Sequence, residues 1–151
     1  MQKRALAAFL LSLSAGAALA QDAAPSAVPQ SELKYAPIPL FEGVFAAPVN
    51  GSAARPGSLY VLSVKYAAGA KSSPHVHPDA RVVTVIAGRF YAGAGPTFDE
   101  AALRALGPGD SIVVPANAVH YGWAKDGETL LLEVGIGPSG ASLWPKAPLA
   151  R

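Results

Sequence analysis

The chain contains no cysteine. That excludes disulfides, thiolate metal ligands and a lipidated amino-terminal cysteine. Charge is thin as well: charged residues make up 15% of the sequence, 12 basic against 10 acidic, with no run of Lys or Arg. A protein that grips nucleic acid needs a basic patch or stripe, so nucleic acid is not expected as a partner. Histidine is scarce too, with three in 151 residues. Their positions turn out to be the most informative feature of the chain.

What is present is apolar. Hydrophobic residues form 51% of the sequence, enough for a core in one domain plus appendages. Residues 1–20 combine Lys3 and Arg4 with an apolar stretch from Ala5 to Leu13 and a small-residue ending at Ala18, Leu19 and Ala20. This pattern reads as a secretory signal cleaved after Ala20. Its uncharged run is shorter than the ~20 apolar residues a spanning helix uses. Removing Lys3 and Arg4 leaves 10 basic residues against 10 acidic ones, so the whole-chain pI of 9.0 overstates the basicity of the mature protein. The expected location is periplasmic or secreted, without membrane contact after cleavage.

Residues 21–39 are rich in Ala, Pro, Ser and Gln, with Pro25, Pro29, Pro37 and Pro39, and read as a linker or extended arm. β-rich runs follow at 58–66, 81–86, 89–91, 111–114, 119–124 and 129–134, punctuated by Gly88, by Gly107 to Asp110 and by Lys125 to Gly127. Many short strands with regular turns predict an all-β antiparallel sandwich or barrel over 40–137. The one helical candidate is Phe98 to Leu106, with a packed loop as the other reading. Residues 138–151 read as an irregular tail anchored only by Trp144.

His75 and His77 stand at i and i+2, and His120 follows Pro115 by five residues. On an extended segment, i and i+2 project from one face, and a third histidine from another strand completes a triangular ligand face. Imidazole nitrogen suits zinc, copper, iron and nickel, and three histidines leave coordination positions open. The expected cofactor is one divalent transition metal, Fe(II) first, with Zn, Mn, Ni and Cu also open.

The spacing resembles the cupin superfamily, small jelly-roll β-barrels. Its first motif, G-x5-H-x-H-x3,4-E-x6-G, is met by Gly69, His75, His77 and Gly88, and its second, G-x5-P-x-G-x2-H-x3-N, by Gly109, Pro115 and His120. Pro74 to Pro78, Val83 to Tyr91 and Ile136 to Pro138 further resemble a group of small exported cupins. The resemblance implies a jelly-roll barrel with short or no helices and a metal pocket. Homodimers are common in that superfamily.

Three positions depart from the motifs: Arg81 stands in place of the glutamate ligand, Asn117 in place of a glycine and Ala124 in place of the closing asparagine. A guanidinium has no lone pair to offer a metal. Either Arg81 swings outward or pairs with an acid such as Glu133, leaving a three-histidine site, or it faces the cavity and holds an anionic ligand. Restoring a carboxylate with Arg81→Glu is expected to raise metal affinity, and no effect would indicate that position 81 points away from the pocket. Asp79 is the nearest acid able to substitute as a ligand, and its place after Pro78 suggests a loop. Arg81 and Tyr91 are the expected substrate contacts, while strand alternation from His120 assigns Tyr121 and Trp123 to wall or core. Two functions follow: a metal-dependent enzyme of the Fe(II) oxygenase type acting on a small organic molecule, or a non-catalytic module that captures a metal or a small anion.

Overall fold

A computed structural model describes residues 24–145 of the chain. The expected signal segment lies outside them. The described part of the arm is mostly exposed, with one 3-10 turn at Gln30–Glu32. Eleven strands follow: β1 (Ala36–Pro37), β2 (Val44–Gly51), β3 (Leu59–Tyr66), β4 (Lys71–Val76), β5 (Arg81–Ala87), β6 (Phe90–Ala94), β7 (Arg104–Leu106), β8 (Ser111–Val114), β9 (His120–Trp123), β10 (Thr129–Ile136) and β11 (Ser142–Leu143). They form two antiparallel sheets, ordered β1-β2-β3-β10-β5-β8 and β11-β4-β9-β6-β7. This is the expected all-β jelly-roll architecture. Among the described residues no helix is long and apolar enough to cross a membrane.

The inner faces follow from strand alternation. In β5, Arg81, Val83 and Val85 are buried while Val82 and Ile86 face solvent. Phe41, Val44, Val64, Tyr66, Val83, Val85, Phe90, Leu106, Val114 and Leu131 build the core between the sheets. The Tyr66 and Phe90 rings meet edge to face at 5.1 Å, an arrangement that adds about 0.5–1.5 kcal/mol to their burial. The motif glycines Gly69, Gly88 and Gly109 all adopt positive φ, as their turns require.

One sequence expectation is corrected, and strands not expected from the sequence appear. Phe98 to Leu106 is no helix: a 3-10 turn at Glu100–Ala102, capped by the Asp99 carboxylate accepting from the Ala101 amide, leads into β7. The pairing of Phe90 with Leu106 buries Leu106 alone of the apolar residues that suggested a helical face, while Ala101 and Ala102 stay exposed. Strand β2 lacks an obvious signal because Pro48 interrupts it, and the ladder absorbs the interruption as a register shift between Pro48 and Asn50. Most consequentially, the stretch read as an irregular tail carries β11, whose Ser142 and Leu143 pair with Val76 and His75 on β4.

Candidate metal centre

The three histidines converge. His75 and His120 are direct cross-strand partners on β4 and β9, and His77 lies just past the end of β4. A register shift between Ser72 and His75 turns both of those side chains inward despite their odd spacing, and His77 follows on the same face. Ring centroids are 4.2 Å apart for His75 and His120, 4.9 Å for His75 and His77, and 5.2 Å for His77 and His120. One nitrogen from each lies within 4.8 Å of the others. The Phe41 ring backs His75 at 4.8 Å.

Each Nδ1 is held by a backbone carbonyl. His75 donates to Ser73 at 2.8 Å, His120 to Ala118 at 3.0 Å and His77 to Gly140 at 2.7 Å. A carbonyl can only accept, so Nδ1 carries the proton and Nε2 keeps its lone pair in all three rings. Burial lowers the proton affinity of each. His75, also facing His120, falls to about 4, and His77, under the Arg81 charge as well, falls to about 3. His120 shifts the same way, chiefly through burial. Three neutral imidazoles with free lone pairs fit a transition metal.

Arg81 is buried beside this cluster; both terminal nitrogens find protein acceptors, while its buried Nε has no partner among the described residues. Nη1 donates to Glu133 Oε2 at 2.9 Å, and Nη2 to Asp79 Oδ1 and to Ser139 Oγ, both at 2.6 Å. The expectation of a pairing with Glu133 holds, and that of an outward swing does not. Two carboxylates answer the guanidinium charge, which relieves the repulsion a nearby cation would feel. Asp79 also accepts from the Tyr60 hydroxyl at 2.5 Å. Burial would raise the Asp79 carboxyl, but bonds from Tyr60, Ser139 and Arg81 outweigh it and hold it below the usual range. Glu133 moves upward, burial prevailing over the attraction of Arg81. Asp79 is thus committed to Arg81 and Tyr60 rather than placed as a ligand.

Tyr91 is not brought to the histidines. Phe90 takes the inward position on β6, so Tyr91 points outward and donates to Asp126 at 2.6 Å. This corrects its assignment as a substrate contact. Tyr121 is buried, packs on Phe98 at 4.8 Å and lines the inner chamber, as a wall residue, whereas Trp123 is only half-buried and lies under Lys71 at 3.9 Å.

Three spaces reach the centre. A chamber of about 50 Å³ is enclosed by Tyr66, Ser72, His75, Phe90, His120 and Glu133. A cleft of about 410 Å³ opens between edge strands β7 and β8, with His120 at its inner end, walls that include Leu106, Ile112 and Val114, and Arg104 and Asp110 among its polar lining. A third space of about 240 Å³ adjoins His75, His77, Arg81, Glu133 and Ser139. Ser139, Gly140 and the carbonyls of Ser73 and Ala118 were not legible in the sequence: a backbone acceptor has no residue signature, and Ser139 acts through a hydroxyl outside either motif.

Two motif departures acquire reasons. Asn117 holds φ +60°, the left-handed geometry its glycine counterpart would supply, and its amide donates to the His77 carbonyl at 2.7 Å, tying the second motif to the first. Ala124 is wholly buried, exchanging backbone bonds with Gly69 and Ala70.

A two-sheet jelly roll with a histidine triad between its sheets, two rings buried and His120 half-buried, defines a cupin-type barrel. The family model described as a cupin domain matches residues 62–135, and the chain belongs to the cupin superfamily. Among solved structures it is similar to the polyketide cyclase RemF from Streptomyces resistomycificus, at 14% identity and TM-score 0.67, over 82% of this chain and 88% of that one. It is also similar to KdgF from Halomonas sp., at 23% identity and TM-score 0.59, over 75% and 94% of the two chains. A third likeness is to a sugar phosphate isomerase of the cupin superfamily from Silicibacter pomeroyi, at 18% identity and TM-score 0.59, over 80% and 82%. At these identities the likeness is one of fold. No curated protein matches the sequence.

Proposed function

We propose that the protein is an exported metal-dependent cupin enzyme in which Nε2 of His75, His77 and His120 holds one divalent transition metal, Fe(II) first, and which acts on a small organic molecule. The observation that carries this reading is the set of three carbonyl acceptors on Nδ1, which leaves three lone pairs in one buried cluster. A metal on a neutral ligand set supplies undiminished positive charge for polarising a bound substrate or activating water or oxygen.

The surroundings suit such a role. The cleft between β7 and β8 is large enough for a small molecule and ends at His120, while the inner chamber is of a size for water or a diatomic. Glu133 lines that chamber, tethered by one oxygen to Arg81, and is the carboxyl placed to exchange a proton there. Arg81 in this reading organises the site and does not bind substrate, since its terminal nitrogens are engaged within the protein. Export through residues 1–20 belongs to the same proposal. So does pairing of two copies, which exposed Val82, Val113 and Ile86 on the outer face of the larger sheet favour.

The test is turnover as a function of metal. Mature protein stripped of metal and reloaded anaerobically with Fe(II) or Zn(II) is presented with a panel of small organic acids, diketones and thiols while oxygen uptake and product formation are followed. Conversion by loaded protein alone supports an enzyme. Saturable ligand binding without conversion under any metal would support a capture module instead.

A further inference from the structure

The outer hydrogen-bond partners of the three histidines are unequal. His75 and His120 donate to carbonyls two residues back, Ser73 within β4 and Ala118 in the turn that leads into β9, so those rings are set locally. His77 donates to Gly140, 63 residues away in sequence. Gly140 belongs to a strap, residues 139–144, whose only strand is the two-residue exposed β11 at the edge of its sheet. A pairing that short holds weakly by itself. The orientation of His77 therefore depends on what else moors the strap.

Three moorings flank Gly140. On one side the Ser139 hydroxyl accepts from Arg81 Nη2 at 2.6 Å and the Ser139 amide donates to the Ala53 carbonyl at 2.6 Å, and on the other the Trp144 amide donates to the Pro74 carbonyl at 2.8 Å. The first is charge-assisted and half-buried, the stronger kind. Arg81 also binds Asp79, two residues after His77, and Glu133 on β10. One guanidinium thus joins β5, β10, the loop carrying His77 and the strap.

We propose that Arg81 and Ser139 form a latch that seats the strap on the site, so that metal affinity is set through the Gly140 carbonyl on His77. Where the family motif places a direct carboxylate ligand, this chain uses the same position to hold an outer partner of a ligand. Arg81 and Ser139 are positioning residues. The outer partner of a ligating histidine fixes its ring and raises its basicity, and losing such a partner typically weakens metal binding about 10–100-fold.

This inference rests on the metal reading, and its test separates the two. In full-length mature protein, Ser139→Ala and the double variant Ser139→Ala/Trp144→Pro are compared with wild type by competition of Co(II) against a chromophoric chelator. The imidazole Nδ1–H resonances of the metal-free proteins are followed by NMR. Ser139→Thr, which keeps the hydroxyl, is the conservative rescue. Gly140→Ala is the control, since a Cβ there meets open space and the carbonyl stays.

The latch predicts a loss of about tenfold or more in affinity for the double variant and a smaller loss for Ser139→Ala. It also predicts that the His77 proton alone exchanges faster, and that Ser139→Thr and Gly140→Ala resemble wild type. Unchanged Co(II) affinity and an unchanged His77 proton in folded Ser139→Ala would overturn it. If wild type binds no Co(II), the metal reading fails, and the His77 resonance still decides whether the latch exists.

Discussion

Arg81 and Glu133 reach each other from neighbouring strands β5 and β10, with Nη1 2.9 Å from Oε2 and side chains only 3% and 15% exposed. A pair this deep contributes little net stability when intact, yet removing one member strands the others without partners. Here two carboxylates depend on one guanidinium. Arg81→Met is expected to cost about 3–5 kcal/mol of unfolding free energy, read by urea denaturation of the metal-free protein. Arg81→Glu is expected to cost more, because it gathers three carboxyls around Tyr60 and Ser139. The sequence alone suggests that this change raises metal affinity, a separate quantity that chelator competition on the folded variant would read. A urea midpoint unchanged in both variants would show that the cluster does not form.

Acid should weaken the metal-free fold through the histidines. In the unfolded chain each titrates near ~6.5, whereas in the fold His75 is held at about 4 and His77 at about 3. Between those values the unfolded chain takes up protons that the folded chain refuses, so stability falls as pH falls from ~6.5 and is flat above it from this source. Thermal midpoints of metal-free protein at pH 7.5, 5.5 and 4.5 should fall in that order, and by less in His77→Gln. Midpoints independent of pH would mean that the rings are not buried neutral.

Asn117 should tolerate glycine and resist branched residues. At φ +60° a β-branched side chain meets its own backbone, so Asn117→Val is expected to cost about 1–2 kcal/mol while Asn117→Gly stays near wild type. Differential scanning calorimetry reads both. Equal midpoints for the two variants would contradict the left-handed assignment.

How much was legible in the sequence depended on what kind of group carried each role. The fold and the triad announced themselves, because β-sheet alternation and motif spacing are patterns of side chains. Glu133 was nameable as a partner for Arg81 because an inward guanidinium requires an acid. The strap was not legible: Ser139 and Gly140 act through a hydroxyl and a carbonyl in a stretch with no apolar period. Tyr91 was misassigned for a different reason. Phe90 and Tyr91 are both aromatic neighbours on one strand, and only the pairing of Phe90 with Leu106 decides which faces in.

Tyr91→Phe is accordingly a silent change at the centre. It removes a surface hydrogen bond to Asp126, and metal affinity measured by chelator competition should equal that of wild type. A clear loss would place Tyr91 in contact with the site after all.

The central claim is that His75, His77 and His120 hold a metal, and elemental analysis of the mature protein tests it most directly. The protein should be exported in its native host and purified without a polyhistidine tag or chelator. The account predicts about one equivalent of a transition metal per chain, most of it lost in His77→Ala. Equal metal content in wild type and His77→Ala, or none in wild type even after anaerobic addition of Fe(II) or Zn(II), would contradict it.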